Sequence, residues 1–220
     1  MKFVHPKSIL IYTIIVTGLL FLVENIYHPV YILQLLQKIC SFLLIPILVA
    51  SIFKETVGKA GSMSRFGLFL GIGLGIISAG IIALTYSFLR EYIDWQAIHS
   101  SMEARHINEK TFTIIFLYIM FGNSLLEEYF FRGIIYYQAS QISKPFAYLL
   151  SALMFSLYHI VIFSTWFSGY ILGLALFGLF MGGIFFSWLY EKTGGIWSAW
   201  IFHIFADLAI LIIGYVEFFT

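Results

Sequence analysis

The chain alternates long apolar stretches with short polar interruptions. Crossing the hydrocarbon core of a bilayer takes about 20 apolar residues in a helix, and about seven stretches approach this length. We predict membrane spans at residues 8–26, 30–53, 66–89, 111–134, 146–163, 169–190 and 196–218. The segment 90–110 is predicted to be extramembrane. The predicted fold class is an all-α, polytopic transmembrane helical bundle, forming a single integral membrane domain over 1–220.

Basic residues set the predicted orientation, because lysine and arginine are retained on the cytoplasmic side. The first span lacks a small-x-small cleavage site, so we interpret it as retained and place the N-terminus in the cytoplasm. This side then holds the larger basic set, Lys2, Lys7, Lys54, Lys59, Arg65, Lys144 and Lys192, against Arg90, Arg105 and Lys110 opposite. We expect a multi-pass protein of the plasma membrane.

Composition narrows the possible partners. Hydrophobic residues make up 61% of the chain and charged residues 10%, with a net charge of +1. This balance fits a protein embedded in the lipid bilayer and lacks the polybasic field that binds phosphate backbones. We therefore expect no nucleic-acid partner.

Glycines recur at four-residue spacing in two spans. They are Gly67, Gly71 and Gly75 in the third span, and the pairs Gly169 with Gly173 and Gly178 with Gly182 in the sixth. Small residues at this spacing let helix backbones approach closely in lipid, so both stripes predict tight helix packing.

Several ionisable side chains fall within the predicted spans, where they are costly unless they pair, meet water or act in chemistry. They are Lys38, Glu127, Glu128, Arg132, His159, His203 and Asp207. We expect Lys38 to extend toward a lipid head group. The others, on three spans, are candidates for a functional site.

Helical spacing divides the acidic residues. Glu128 and Arg132 are four residues apart and are predicted to pair, which leaves Glu127 pointing elsewhere as an unpaired carboxylate suited to a general base. His203 and Asp207 share a face in the same way. Glu127 and His203 lie about two turns from the predicted cytoplasmic ends of their spans, but His159 lies about three and a half turns in. We expect His159 to join them only if the fifth span is tilted or shortened.

Three motifs in order carry a resemblance. They are Glu-Glu-x-x-x-Arg at 127–132, Phe-x-x-x-His at 155–159 and His-x-x-x-Asp at 203–207. Together they resemble the CAAX protease and bacteriocin-processing family, also called Abi, of intramembrane endopeptidases. The resemblance covers about 117–213, which divides the domain into variable N-terminal spans at 1–110 and catalytic core spans at 111–218.

The resemblance implies a catalytic set. Glu127 would activate a water with help from His159, and His203 with residue 207 would stabilise the oxyanion of a peptide or protein-tail substrate. Glu128 and Arg132 would support the first motif. Prenyl-protein endopeptidases of the family usually have asparagine where this chain has Asp207. An ionised aspartate would repel an oxyanion, so Asp207 is either protonated or serves to orient His203.

Cofactor use and activity leave alternatives open. We expect no cofactor, because the chain lacks a His-Glu-x-x-His helix; the alternative is zinc held by Glu127, His159 and His203. The substrate is either a CAAX-type protein tail or a bacteriocin-like peptide. Two other functions compete with hydrolysis: peptide sequestration in bacteriocin self-immunity, and proton-coupled transport.

Overall fold

A computed structural model describes residues 31–53, 58–164, 166–167 and 169–220, together with residues 12, 15, 16, 18 and 19. The predicted first span at 8–26 lies largely outside these residues. The described part is all-α and contains no β-strand, which confirms the predicted fold class.

Seven helices follow one another in the described part of the chain. Helix α1 comprises Tyr31–Ile39, a π-helical segment Cys40–Leu44 and Ile45–Phe53. The others are α2 (Arg65–Tyr92), α3 (Trp95–Ala104), α4 (Glu109–Ser140), α5 (Lys144–Phe163), α6 (Gly169–Thr193) and α7 (Trp197–Phe219). Helix α3 lies within the segment 90–110, for which no helix was predicted.

Four of these helices, α2, α4, α6 and α7, are long and apolar enough to cross a membrane. They occupy the positions of the predicted third, fourth, sixth and seventh spans. Helices α1 and α5 form where the second and fifth spans were predicted but are not among these four. The chain is a multi-pass membrane protein, and the total of seven spans stays a prediction.

The glycine stripe of α2 packs against α7. A Cβ added at Gly71 would lie 2.7 Å from the backbone oxygen of Ser198, and one at Gly75 would lie 2.7 Å from the ring of Phe205. Neither distance is compatible with ordinary van der Waals contact. The backbones of α2 and α7 approach closely because these positions lack side chains, as predicted.

The predicted stripe on α6 is not a packing seam within the described part of the chain. A Cβ at Gly169, Gly173 or Gly178 would meet nothing within 4 Å. The close approach is made one residue beyond the stripe, at Gly183, where a Cβ would lie 2.8 Å from the Cα of Ala152 on α5. Glycine spacing alone did not identify which face of α6 is packed.

Helix α4 occupies the centre of the bundle and packs against α1, α5, α6 and α7. It contains two π-helical segments, Tyr118–Asn123 and Tyr129–Tyr136, and every residue from 130 to 136 is buried. A helix enclosed on several sides buries more than one stripe. The ring of Phe130 stacks on Phe42 of α1, with centroids 4.1 Å apart.

A short extended segment, Lys59, Ala60 and Gly61, ties the α1–α2 connection to the core; we call it the strap. The backbone N–H of Lys59 donates to the carbonyl of Gly133 at 2.9 Å, and the N–H of Ile196 donates to the carbonyl of Ala60 at 2.9 Å. The indole of Trp197 donates to Gly61 at 3.1 Å. The strap therefore links α4 to the start of α7.

Candidate active site

Glu127 lies at the middle of α4 with its side chain buried. Its Oε1 accepts a hydrogen bond of 2.7 Å from the amide of Asn123, one helical turn earlier. The ammonium of Lys38, on α1, lies 3.9 Å from the same oxygen. Glu127 is therefore not the unpaired carboxylate that the sequence predicted.

The other oxygen of Glu127 faces two imidazoles. Oε2 lies 3.9 Å from Nε2 of His159 on α5 and 4.0 Å from Nε2 of His203 on α7. It accepts no hydrogen bond from the described residues. Three helices thus bring one carboxylate oxygen and two imidazole nitrogens to a common point, shielded from lipid by the bundle.

His159 reaches this point without the tilted or shortened span that was expected. Helix α4 continues to Ser140, beyond its predicted end at residue 134, which places Glu127 about three and a half turns from that end. His159 lies about four turns from the adjoining start of α5 at Lys144. The two depths match, and the expected mismatch was wrong because the end of α4 was placed too early.

The hydrogen bonds of His159 define its tautomer. Nδ1 lies 2.8 Å from the carbonyl oxygen of Phe155, and a carbonyl only accepts. Nδ1 therefore carries the proton and donates. In the neutral ring, Nε2 then presents a lone pair toward Glu127.

One carboxylate oxygen of Glu128, Oε1, makes two buried contacts. Its Oε1 lies 3.1 Å from Nη1 of Arg132, the pair predicted from their spacing, and 2.9 Å from Nδ1 of His203. The contact with His203 was not predicted. Through it, Glu128 orients the imidazole, a role the sequence analysis gave to Asp207.

Arg132 is fully buried between aromatic rings. Its guanidinium lies 4.5 Å from the ring centroids of Phe155 and Phe186, and Nη2 donates to the carbonyl of Gly183 at 3.3 Å. Cation–π contacts of this kind and the carboxylate of Glu128 stabilise the positive charge of Arg132, which would be unstable in lipid. Arg132 thereby fixes Glu128, and with it His203.

Asp207 faces the opposite nitrogen of His203. Its Oδ1 lies 3.6 Å from Nε2, the same atom that faces Glu127, and its Oδ2 is buried without a hydrogen-bond partner among the described residues. Three carboxylates therefore face His203, Glu128 at Nδ1 and both Asp207 and Glu127 at Nε2. This arrangement stabilises a doubly protonated, positively charged imidazole.

Two residues of the site were missed or misplaced by the sequence analysis. Lys38 donates a 2.9 Å hydrogen bond to Oδ1 of Asn123 instead of extending to a lipid head group. Asn123 was not singled out, although its position four residues before Glu127 placed it on the same face. Gln34, Lys38 and Phe42 recur at four-residue spacing, which would have indicated an inward face of α1.

The donor atoms are too widely spaced for zinc. Tetrahedral zinc at about 2.0–2.2 Å from each ligand places neighbouring ligand atoms about 3.3–3.6 Å apart. The distances from Glu127 to the two imidazoles are 3.9 and 4.0 Å. The described residues contain no group of three or more His, Cys, Asp or Glu side chains arranged to hold a metal. The expectation of no cofactor stays a prediction.

Comparison with known families decides the assignment of this region. Residues 109–209 match the family described as Rce1-like, type II CAAX prenyl endopeptidase Rce1-like. The matched residues contain all three motifs of the resemblance. The match confirms the resemblance found in the three motifs, and it supports a CAAX-type intramembrane protease in general, with a peptide or protein substrate. No curated protein and no solved structure matches the chain.

Proposed function

We propose that the protein hydrolyses a peptide bond in a membrane-associated peptide or protein by a water that Glu127 activates. The observation that carries this proposal is the position of Glu127 Oε2, 3.9 Å from His159 and 4.0 Å from His203. Each gap is too long for a direct hydrogen bond and is the span that one water bridges with two bonds of about 2.8 Å.

The proton positions around His159 suit water activation. A water between Glu127 and His159 donates one hydrogen to the carboxylate and the other to the lone pair of Nε2. Its own lone pair is then left for attack on the scissile carbonyl. Glu127 takes the proton as the C–O bond forms, and passing it to the amide nitrogen completes cleavage of the C–N bond.

His203 is proposed to stabilise the oxyanion. With Nδ1–H donating to Glu128, a second proton on Nε2 provides an N–H that points into the site. The carboxylate of Asp207 would stabilise this charged ring, so that Asp207 acts through His203 and does not touch the oxyanion. Glu128 and Arg132 would hold the ring in place.

The substrate class and location belong to the same proposal. A CAAX-type tail or a bacteriocin-like peptide would reach the site from the membrane, and the plasma membrane is the proposed location. No step of the proposed reaction passes through a metal. Sequestration of a peptide in self-immunity is the alternative that would use the same residues without hydrolysis.

Replacing Glu127 by glutamine tests hydrolysis. Glutamine keeps the size and the contact with Asn123 but cannot accept the proton of water, so we expect cleavage to fall at least a thousandfold. The measurement compares peptides in membranes of cells producing wild type or Glu127→Gln, where an uncut substrate accumulates in the variant. Purified wild type should also keep its activity after treatment with a chelator.

Glu109→Gln is the matched control, because Glu109 is an exposed carboxylate at the start of the same helix. It should cleave normally. Processing that persists in Glu127→Gln at normal expression would contradict hydrolysis and favour sequestration. Chelator-sensitive cleavage with stoichiometric zinc would replace the metal-free mechanism by the zinc alternative.

A further inference from the structure

Lys38 brings a part of the chain outside the family match into the site. It lies on α1, whereas the matched region is 109–209. Its side chain is 19% exposed, and its ammonium lies 5.3 Å from the ring centroid of Tyr158 on α5. The aromatic face and the buried surroundings hold the charge inside the bundle. None of the three family motifs contains this residue.

Lys38 determines which way the amide of Asn123 points. An ammonium has only hydrogens to offer, so the atom it contacts at 2.9 Å must be the amide oxygen. The amide nitrogen of Asn123 is then turned toward Glu127, where it donates at 2.7 Å. With the amide reversed, its oxygen would face the carboxylate and repel it.

The amide in turn orients the carboxylate of Glu127. Oε1 is occupied by the hydrogen bond from Asn123 and by the charge of Lys38 at 3.9 Å. Oε2 is left facing His159 and His203, where the water is proposed to lie. The orientation of the proposed base therefore depends on a relay that begins on α1.

Lys38 also has a second role, which is to offset negative charge in the site. The site contains the buried Glu127 and Glu128 and the part-buried Asp207; when all three are ionised, Arg132 and the charged form of His203 offset only two of the negative charges. Lys38 supplies the third positive charge beside Glu127. Without it, Oε1 of Glu127 would have the amide of Asn123 as its only contact among the described residues, and the charge of His203 would lie only on the side of Oε2.

We propose that Lys38, acting through the amide of Asn123, is a positioning residue of the active site that turns Glu127 Oε2 toward the two histidines. This inference rests on the proposed hydrolysis. It assigns to the N-terminal helix a part in catalysis beyond packing, and it makes the site complete only when α1 is present.

Lys38→Met tests the proposal, because methionine keeps the apolar stem and removes the ammonium. We expect kcat for cleavage to fall at least tenfold with KM unchanged, since Lys38 is proposed to act on the base Glu127 and not on the substrate. Lys38→Arg, which keeps the charge and its donors, should recover most of that loss. Lys192→Met, which removes an exposed lysine, is the matched control and should cleave like wild type.

A double-mutant cycle separates positioning from a general effect on folding. If Lys38 acts through Asn123, adding Lys38→Met to Asn123→Leu should lower kcat no further than Asn123→Leu alone. Losses that multiply in the double variant would overturn the relay, because they would assign the effect of Lys38 to its direct charge on Glu127. A rise in KM with unchanged kcat would also overturn it, by assigning Lys38 to substrate binding.

Two outcomes distinguish a failure of the Lys38 relay from a failure of the proposed hydrolysis. Undiminished cleavage by Glu127→Gln would remove the proposed hydrolysis itself. If Glu127→Gln is inactive and Lys38→Met is fully active, the relay is contradicted and the proposed hydrolysis is not. If Lys38→Met fails to fold, Lys38→Gln, which also removes the charge, takes its place in the cycle: equal kcat for Asn123→Leu with and without Lys38→Gln supports the relay, and a further loss contradicts it.

Discussion

At position 207 a carboxylate, and not an amide, faces the imidazole of His203. The sequence left two interpretations of this aspartate open, protonation or orientation of His203. Glu128 already orients the ring from Nδ1 at 2.9 Å, and Asp207 lies 3.6 Å from Nε2. The geometry favours a third interpretation, in which Asp207 stabilises the positive charge of the ring by electrostatics.

Asp207→Asn tests this interpretation. Asparagine has nearly the same shape but no charge, so the protonated imidazole loses one of the two carboxylates beside Nε2. We expect kcat to fall about tenfold, equivalent to about 1.4 kcal/mol of transition-state stabilisation, with little change in thermal stability. The measurement is steady-state cleavage by purified protein. Equal or higher kcat in Asp207→Asn would show that an amide at 207 donates to the oxyanion instead.

Individual residues were predictable where one helix contained both partners. The Glu128–Arg132 pair followed from four-residue spacing and is present at 3.1 Å. Lys38 and His203 find their partners on other helices, and sequence spacing carries no information about contacts between helices. For this reason the ion pair of Lys38 with Glu127 and the contact of His203 with Glu128 were both missed.

The elements of the bundle show where helical patterns are sufficient. The α2 stripe predicted its packing seam because all three glycines share one face of a regular helix. Helix α4 does not follow one period, since its π-helical segments shift the face that points inward. That shift, and the enclosure of α4 by four other helices, explain why every residue from 130 to 136 is buried. A segment buried on all sides has no helical period of polar and apolar residues by which the sequence could predict its burial.

The seam between α2 and α7 gives a prediction with a control on the same helix. In Gly71→Ala the new methyl group would overlap the backbone of Ser198, and α7 would have to move together with His203. We expect a loss of about 1–3 kcal/mol in the free energy of unfolding and reduced cleavage. Thermal unfolding in detergent and a cleavage assay measure the two effects.

Gly73→Ala provides the comparison, because a Cβ there meets nothing within 4 Å. It should match wild type in both assays. Equal stability of Gly71→Ala and Gly73→Ala would show that α2 and α7 are not held together along this stripe.

Across the whole molecule, Lys59, in the α1–α2 connection, and Lys144, at the start of α5, lie at the same end of the bundle. The strap with Lys59 meets the start of α7, and Lys144 forms an ion pair with Glu191, so these basic residues lie at one end. At the other end, Tyr86 donates a hydrogen bond to Glu217. The loops assigned to the cytoplasm from the lysine and arginine distribution are thus brought together on one side.

Orientation is testable with a reporter fused after Thr220. With a cytoplasmic N-terminus and seven spans, the end of α7 faces outward, because the lysine-rich loops stay in the cytoplasm. Alkaline phosphatase, which folds actively only outside the cytoplasm, should be active in this fusion and inactive when inserted in the loop after Ser140. Activity in the reverse pattern would contradict the predicted orientation.

The strap affects how much of the chain is needed for folding. Its hydrogen bonds satisfy a carbonyl of α4 and an N–H at the start of α7, both inside the family match, from residues that precede this match by about fifty positions. A fragment cut to the region of sequence similarity would leave these groups without partners in a setting that offers no water. It would also uncover the ring of Phe130. The smallest fragment of this protein that folds by itself is therefore longer than the family match at residues 109–209.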